Sequence, residues 1–447
     1  MSPRAIRTPL RRTVRSILLG TALLLAAGGA RGATTLNYWM WDPVQEPAYR
    51  ACIADFTKAH PDIAVTVTQI GWDDYWTRLT TAMVSGDAPD VFADHVAHYP
   101  ELVENNQIVD IAPLVARDHV PTGIYLPGLL RVWNNNGKLY GLPKDWDTIA
   151  VVYNARLLKE AGVDPASLSA LTWNPTDGGS FGTLLRRLTH DAAGHAAGTA
   201  GFDPGTVKQY GLVIGGSDLD AYGQTTWSSF AVSNGFSFND GPWSQRFHYD
   251  SPALATAVQW LADQGLKEHT SVPMDQLGHG ASRGIFAAGR AALTIDGSWM
   301  SRWFKDNTRD PIGFAPLPAG PQGRRTMFNG LADSIYAKSP HREEAWTLLR
   351  YLASPACETK IGSYGIIFPA IPQAAEASEA KQQADGIDTQ AFVSEARPGI
   401  TFPFPVSDHA SEIQATMKPA MDAIFLGQTP AASALGAANS KVNQLFE

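Results

Sequence analysis

Five consecutive residues, Ile149-Ala150-Val151-Val152-Tyr153, constrain this chain more than any other stretch. The run is apolar, rich in β-branched side chains and too short to argue for a helix. It therefore predicts a strand buried on both faces. A turn (Asn135, Asn136, Gly137), then Leu139, Tyr140, Leu142 and Pro143, lead into a polar and aromatic group just before it: Lys144, Asp145, Trp146 and Asp147. Open α/β sheets place ligand contacts at the mouths of such strands. The competing assignment puts Trp146 in the core and Asp147 in a turn.

Around this stretch the chain alternates between periods of two and 3.6. The mature N-terminus predicts a strand at 34–40, which leads into Trp39, Trp41 and Asp42. A helix over 49–60 follows, with Cys52, Ile53 and Phe56 on one side and a stop at His60-Pro61-Asp62. A strand at 63–70, a helix at 72–84 and a short buried strand at 91–93, with Asp94 and His95 at its end, complete a parallel doubly wound pattern. Further strands are expected at 210–214, 291–295 and 334–337, and helices at 251–265, 281–289, 341–353, 411–426 and 431–446. Residues 174–208 read as a helix over 181–188 followed by a surface loop.

At 447 residues the chain exceeds one typical domain, so at least two lobes are expected. Five arginines among the first 15 residues precede an apolar run at 17–27 and then small residues, the layout of a secretory signal peptide cleaved near Ala33. That apolar run is short for a bilayer span. The Arg11-Arg12 pair is similar to a twin-arginine signal, but Arg15 stands where an apolar residue is expected. With no cysteine near the cleavage point, no N-terminal lipid anchor is expected. Cleavage removes six Arg and no acids, leaving 29 basic against 43 acidic residues and a net charge of −14. Such an acidic protein is a poor ligand for nucleic acids or anionic membrane surfaces. Cys52 and Cys357, the only two cysteines, exclude a disulfide framework and a multi-cysteine metal site. They fit a single disulfide in an oxidising compartment or two separate buried thiols equally well.

Four segments, taken in order, carry a family resemblance: APDVFADH (88–95), GKLYGLPKDWDTIAVVYNARLLKEAG (137–162), AALTIDGSWM (291–300) and FNGLADSIYAKSPHREEAWTLLRYLAS (328–354). Together they resemble the extracellular solute-binding proteins of carbohydrate ABC importers, of the maltose-binding-protein-like kind. The likeness spans nearly the whole mature chain and is weakest at 174–208. It implies an α/β, two-lobe periplasmic-binding-protein fold (type II-like) with a hinge crossed several times. The first lobe would be about 34–147 with a return segment at about 333–385. The second would be about 148–332 with C-terminal helices at about 386–447. The resemblance further implies a monomeric periplasmic receptor with no cofactor or metal and no nucleic-acid partner. Its partners would be a carbohydrate ligand and the permease subunits of an ABC importer, met at the membrane surface.

A sugar offers hydroxyls and apolar C–H faces, so a cleft that grips it needs flat aromatic platforms and carboxylates or amides. This chain has 13 Trp, several of them at strand or loop ends. By resemblance, Trp299 in DGSWM matches an aromatic that stacks on sugar and Asp147 an acidic hinge-side contact. Trp41 and Asp42 follow the first strand, where family members contact ligand. Asp94, Trp146 and Trp227 stand at comparable places, and Asn329, Tyr364 and Asp408 lie in later loops within reach of the cleft. Trp260, Trp303 and Trp346, on helical faces, read as core.

Enzyme readings fare less well. No His-Glu-x-x-His pair occurs. Asp145 and Asp147 could suggest a glycosidase, but residues two apart on a strand place their carboxylates on one surface and do not flank a scissile bond. His95 and His98 follow no metal-ligand spacing and are expected on a solvated surface. The remaining alternatives are a secreted carbohydrate-active hydrolase, or the same fold binding a polyamine or a phosphate ester. A phosphate ester would want Arg or Lys at the strand ends, which mostly lack them.

Overall fold

The computed structural model describes residues 33–214, 220–277 and 281–447, without the side chain of Asp73. The expected signal peptide lies outside the described residues. Eleven strands make up the two larger sheets of the described residues: β1 (Thr34–Met40), β2 (Ile63–Gln69), β3 (Val91–Asp94), β4 (Leu142–Asp147), β5 (Ile149–Asn154), β6 (Tyr210–Val213), β7 (Ala291–Gly297), β8 (Ile312–Ala315), β9 (Thr326–Ile335), β10 (Phe368–Pro369) and β11 (Thr401–Pro403). They form two α/β lobes. One sheet has the order β10-β4-β9-β3-β1-β2, with β11 beside β9, and the other the order β8-β5-β7-β6. Within the first sheet β1 runs parallel to β2 and β3, while β9 runs antiparallel to both β3 and β4.

The apolar run at 149–153 is the interior strand of the second sheet, flanked by β8 and β7. Neighbours on both edges and packing on both faces explain why it carries no polar alternation. The stretch before it departs from expectation. Lys144 to Asp147 do not form a polar mouth; they lie within β4, a strand of the first sheet whose six residues are all buried. Local sequence disfavours a strand there, since Pro, Lys and Asp are poor strand formers. Tertiary pairing decides the matter: Lys144 Nζ lies 3.6 Å from the Asp333 carboxylate on β9 and 4.1 Å over the Tyr49 ring. Tyr38 donates to the same carboxylate at 2.9 Å. The strand expected at 334–337 likewise begins earlier, at Thr326.

The two cysteines are joined. Cys52, in helix Glu46–Ala59, is bonded to Cys357, in helix Pro355–Gly362, across 305 residues of sequence. The bond ties the first described helix to the segment that returns to the first sheet. Residues 174–208 hold helix Gly179–Leu188 and then a loop wound on Asp191, whose carboxylate accepts the backbone N–H groups of Ala193, His195 and Asp203. Helix Ala410–Phe425 and helix Ala431–Gln444 pack on each other and on helix Pro252–Leu266.

The sheets meet where β4 hands over to β5 at Thr148. There Thr326 Oγ1 accepts the Ile149 N–H at 2.9 Å and donates to the Ile149 carbonyl at 3.1 Å, which pins the start of β9 to the start of β5. Thr148 Oγ1 donates to the Phe392 carbonyl at 3.0 Å. The hinge is thus several adjacent strands cross-linked by two threonine hydroxyls. No described helix is long and apolar enough to cross a membrane.

Candidate functional site

Strand direction sets what faces the junction. β1 and β3 end together, so the residues after them, Trp41 and His95, come within ring contact at 6.4 Å. Helix Trp72–Ser85 adds Trp72 and Trp76 to this group. Trp72 lies edge-on to Trp41 at 5.2 Å and to His95 at 5.5 Å, and Trp76 stacks on His98 at 3.8 Å. Trp72 is 43% exposed, one of four large apolar side chains on the described surface and the only aromatic among them. Edge-on and stacked aromatic contacts hold this wall in place.

His95 opens a chain of side-chain contacts that crosses from one lobe to the other. Asn329 Nδ2 lies 2.8 Å from His95 Nε2 and 3.3 Å from Asp147 Oδ2. From the other side, Gln224 Nε2 donates to Asp147 Oδ1 at 3.0 Å. Asn329 and Asp147 face each other because β9 and β4 pair in that register. Phe404, just past β11, closes the ring of contacts by lying 5.3 Å edge-on to His95 and 4.6 Å from Tyr222. At the rim, Trp243 Nε1 donates to the Asn134 carbonyl at 3.2 Å and Ser411 Oγ to the Glu101 carboxylate at 2.6 Å.

Electrostatics follow from burial. With its ring enclosed by aromatics, His95 has its pKa lowered to about 3, because the charged form would lose its hydration. Burial and the neighbouring Asp145 push Asp147 well above the usual carboxylate range, against the lowering effect of its Asn329 and Gln224 hydrogen bonds. Asn329 Oδ1 is buried with no partner in the protein. Such an atom costs about 1–3 kcal/mol unless something else satisfies it.

The structure brings some of the sequence-selected residues together and leaves others apart. Trp41, Asp147 and Asn329 belong to the junction. Asp42 stands beside it, its carboxylate accepting the N–H groups of Val44 and Gln45 at the head of the first helix, with burial raising its pKa. Trp299 is half-buried after β7, its ring against Gly297; a Cβ there would fall 1.8 Å from the ring, so only glycine permits the contact. Asp408 is half-buried, its pKa raised by burial and by Glu104. Tyr364 packs partly buried against the core. Three residues present no free face. Asp94 is fully buried, bonded to Ser334 Oγ at 2.8 Å and to the His95 N–H at 2.8 Å. Trp146 is sandwiched between Phe368 at 4.7 Å and Phe328 at 5.8 Å. Trp227 is completely buried against Phe236 and Phe238, with its Nε1 bonded to the Asp220 carbonyl.

The histidines correct an expectation: they are not solvated. His95 is 6% exposed and His98 is half-buried under Trp76. His95 was nonetheless within reach of sequence reasoning, since it follows Asp94 at the end of β3, the kind of position that singled out Asp42. Gln224, Tyr222 and Phe404 come from irregular loops with no periodic signal. Among the described residues no group of three or more His, Cys, Asp or Glu is placed to hold a metal ion.

Two lobes meeting at strand ends around such a junction define a solute-binding architecture. The chain belongs to the bacterial extracellular solute-binding protein family, whose model matches residues 41–357. It is 23% identical over 337 residues to the arabinooligosaccharide-binding protein of Bacillus subtilis, covering 73% of this chain and 70% of the relative. Among solved structures it is similar to UspC of Mycobacterium tuberculosis, with a TM-score of 0.73 and 28% identity over 92% of this chain and 99% of that one. The fold is also that of the ABC substrate-binding protein Lmo0181 from Listeria monocytogenes in complex with cycloalternan, with a TM-score of 0.78, 18% identity, and 92% and 99% coverage.

Proposed function

We propose that this protein is an exported receptor that captures a sugar or short oligosaccharide between its lobes and delivers it to the permease of an ABC importer. The observation that carries this reading is the junction itself: an aromatic wall from one lobe beside amide and carboxyl groups contributed by both. Rings give a sugar its C–H platform, and Asn329, Asp147 and Gln224 give its hydroxyls partners that both donate and accept. Because Gln224 reaches the first lobe's groups only when the lobes are together, a ligand touching both sides binds the closed form better. That difference is what a closure equilibrium needs.

A hydrolase would need an acid and a base on opposite sides of a bond. The buried acids nearest the junction, Asp145 and Asp147, stand on one strand, which supports binding without turnover. The linked cysteines fit an oxidising compartment, in keeping with export. The relatives' ligands, arabinooligosaccharides and cycloalternan, support a carbohydrate of more than one ring.

The test is a thermal-shift screen of the purified mature chain against mono-, di- and trisaccharides. A binder at 100 times its Kd raises stability by about 2.7 kcal/mol. Trp41→Ala and Asp147→Ala should shrink the response; a full response in both variants would move the site elsewhere, and no response to any carbohydrate would end the proposal.

A further inference from the structure

We infer that Asp147 stands protonated where the lobes meet, donating to the Asn329 carbonyl oxygen, which also accepts from a neutral, Nε2-protonated His95. This uncharged chain favours neutral ligands over cationic ones. The inference rests on the carbohydrate reading only for what the chain selects; the protonation states follow from hydrogen-bond geometry alone.

The argument begins at the imidazole. His95 Nδ1 accepts the backbone N–H of Ala97 at 3.1 Å, so that nitrogen carries a lone pair. A neutral ring must then carry its proton on Nε2. The ring's other neighbours are Trp41, Trp72, His98 and Phe404, and among the described residues no carboxylate pairs with it. The Nε2–H therefore needs an acceptor, and the atom facing it at 2.8 Å belongs to the Asn329 amide. An amide N–H there would set two donors against each other. A half-turn of the amide exchanges its nitrogen and oxygen and places Oδ1 opposite Nε2.

That choice fixes the next link. The same Asn329 atom lies 3.3 Å from Asp147 Oδ2. Two oxygens at that distance attract only with a proton between them, so Asp147 donates as a carboxylic acid. Its other oxygen keeps the Gln224 Nε2–H at 3.0 Å. The groups facing Asp147 give no reason to ionise: Asp145 from its own strand, neutral His95 and Asn329 from the first lobe, and the Gln224 amide from the second. Among the described residues no Lys or Arg pairs with it. Burial, which raises its pKa well above the ordinary range, acts in the same direction. The half-turn also leaves Asn329 Nδ2 as the buried group without a protein partner, a donor suited to a ligand oxygen. A protonated amine entering here would meet no fixed negative charge at Asp147 and a donor at Asn329.

Two measurements on the ligand-free mature protein test the protonation states. In the infrared difference spectrum of wild type minus Asp147→Asn at about pH 7, a protonated-carboxyl band is expected; a carboxylate band alone would overturn the inference. Nitrogen NMR of wild type, with His95 assigned by its loss in His95→Gln, should show the Nε2–H tautomer unchanged from about pH 6 to pH 8. An Nδ1–H tautomer or an imidazolium would overturn it, even if Asp147→Asn fails to fold. For selectivity, spermidine at about pH 7 should give no thermal shift; a shift lost in Asp147→Ala would refute the neutral site. Because the spectroscopic arms use no ligand, they can fail while the carbohydrate reading stands, and that reading can fail while they hold.

Discussion

The two lobes contribute to the junction in different ways. The first lobe is fastened throughout: a seven-stranded sheet, the Cys52–Cys357 bond between two of its helices, a buried Lys144–Asp333–Tyr38 group, and an aromatic wall held ring against ring. The second is a four-stranded sheet with apolar β5 and β7 at its centre, and it reaches the junction through Gln224. Phe404 comes from the segment just past β11. One lobe presents a rigid template; the covering groups are single side chains on irregular segments. The difference teaches that affinity in such a receptor can change through the cover while stability is decided in the template.

The strongest attempt to break this contrast is Lys144→Met. Removing the cation leaves Asp333 buried without its ionic partner, and a broken buried pair costs about 3–5 kcal/mol. Urea unfolding at neutral pH should show that loss, whereas a change under about 1 kcal/mol would mean that the group does not fasten the lobe. Next comes the disulfide: Cys52→Ser with Cys357→Ser should lower the unfolding free energy by about 2–5 kcal/mol. Carbohydrate affinity, read by calorimetry, should follow only as far as folding does.

A subtler probe is Asp145, whose two carboxylate oxygens are buried without partners and whose pKa burial raises to about 7. A folded-state pKa above the unfolded value means that the native protein binds the extra proton. The resulting stability is complete below about pH 4 and is lost as pH rises through about 7. Asp145→Asn removes that penalty and should stabilise the protein above pH 7 by about 1–3 kcal/mol, after allowing for a buried amide. Thermal denaturation from about pH 5 to pH 8 checks the sign: the gap between variant and wild type must widen with pH. Smallest in its effect on binding is Phe404→Ala, which empties a buried ring position and so lowers stability, but should weaken carbohydrate binding by only about 1 kcal/mol, mostly through faster dissociation. An effect as large as that of Trp41→Ala would make the cover as important as the template.

How much was legible follows from the distances over which contacts form. The strands at 34–40, 63–69 and 149–154 and the helices at 46–59 and 72–85 were readable because their periodicity is local and their partners are apolar and interchangeable. β4 was not readable as a strand: its Lys and Asp residues look like a loop until Asp333 and Tyr38 arrive from far away in sequence. Residue type at strand ends flagged Trp41, Asp147 and Asn329, which meet at the junction, but could not separate them from Trp146 and Trp227, whose rings are covered by phenylalanines. His95 was passed over because the neighbours that bury it, Asn329 and Phe404, are more than 200 residues away.

The sequence by itself determined an acidic, two-lobe α/β chain of a solute-binding family, because periodicity, composition and ordered motifs are properties of short stretches. Only the tertiary structure decided that the cysteines are linked and that β4 is a buried strand. It alone decided which of many aromatic and acidic residues meet at the junction. Those outcomes depend on which groups share a dry environment, and burial there sets both the partners and the charge of a side chain.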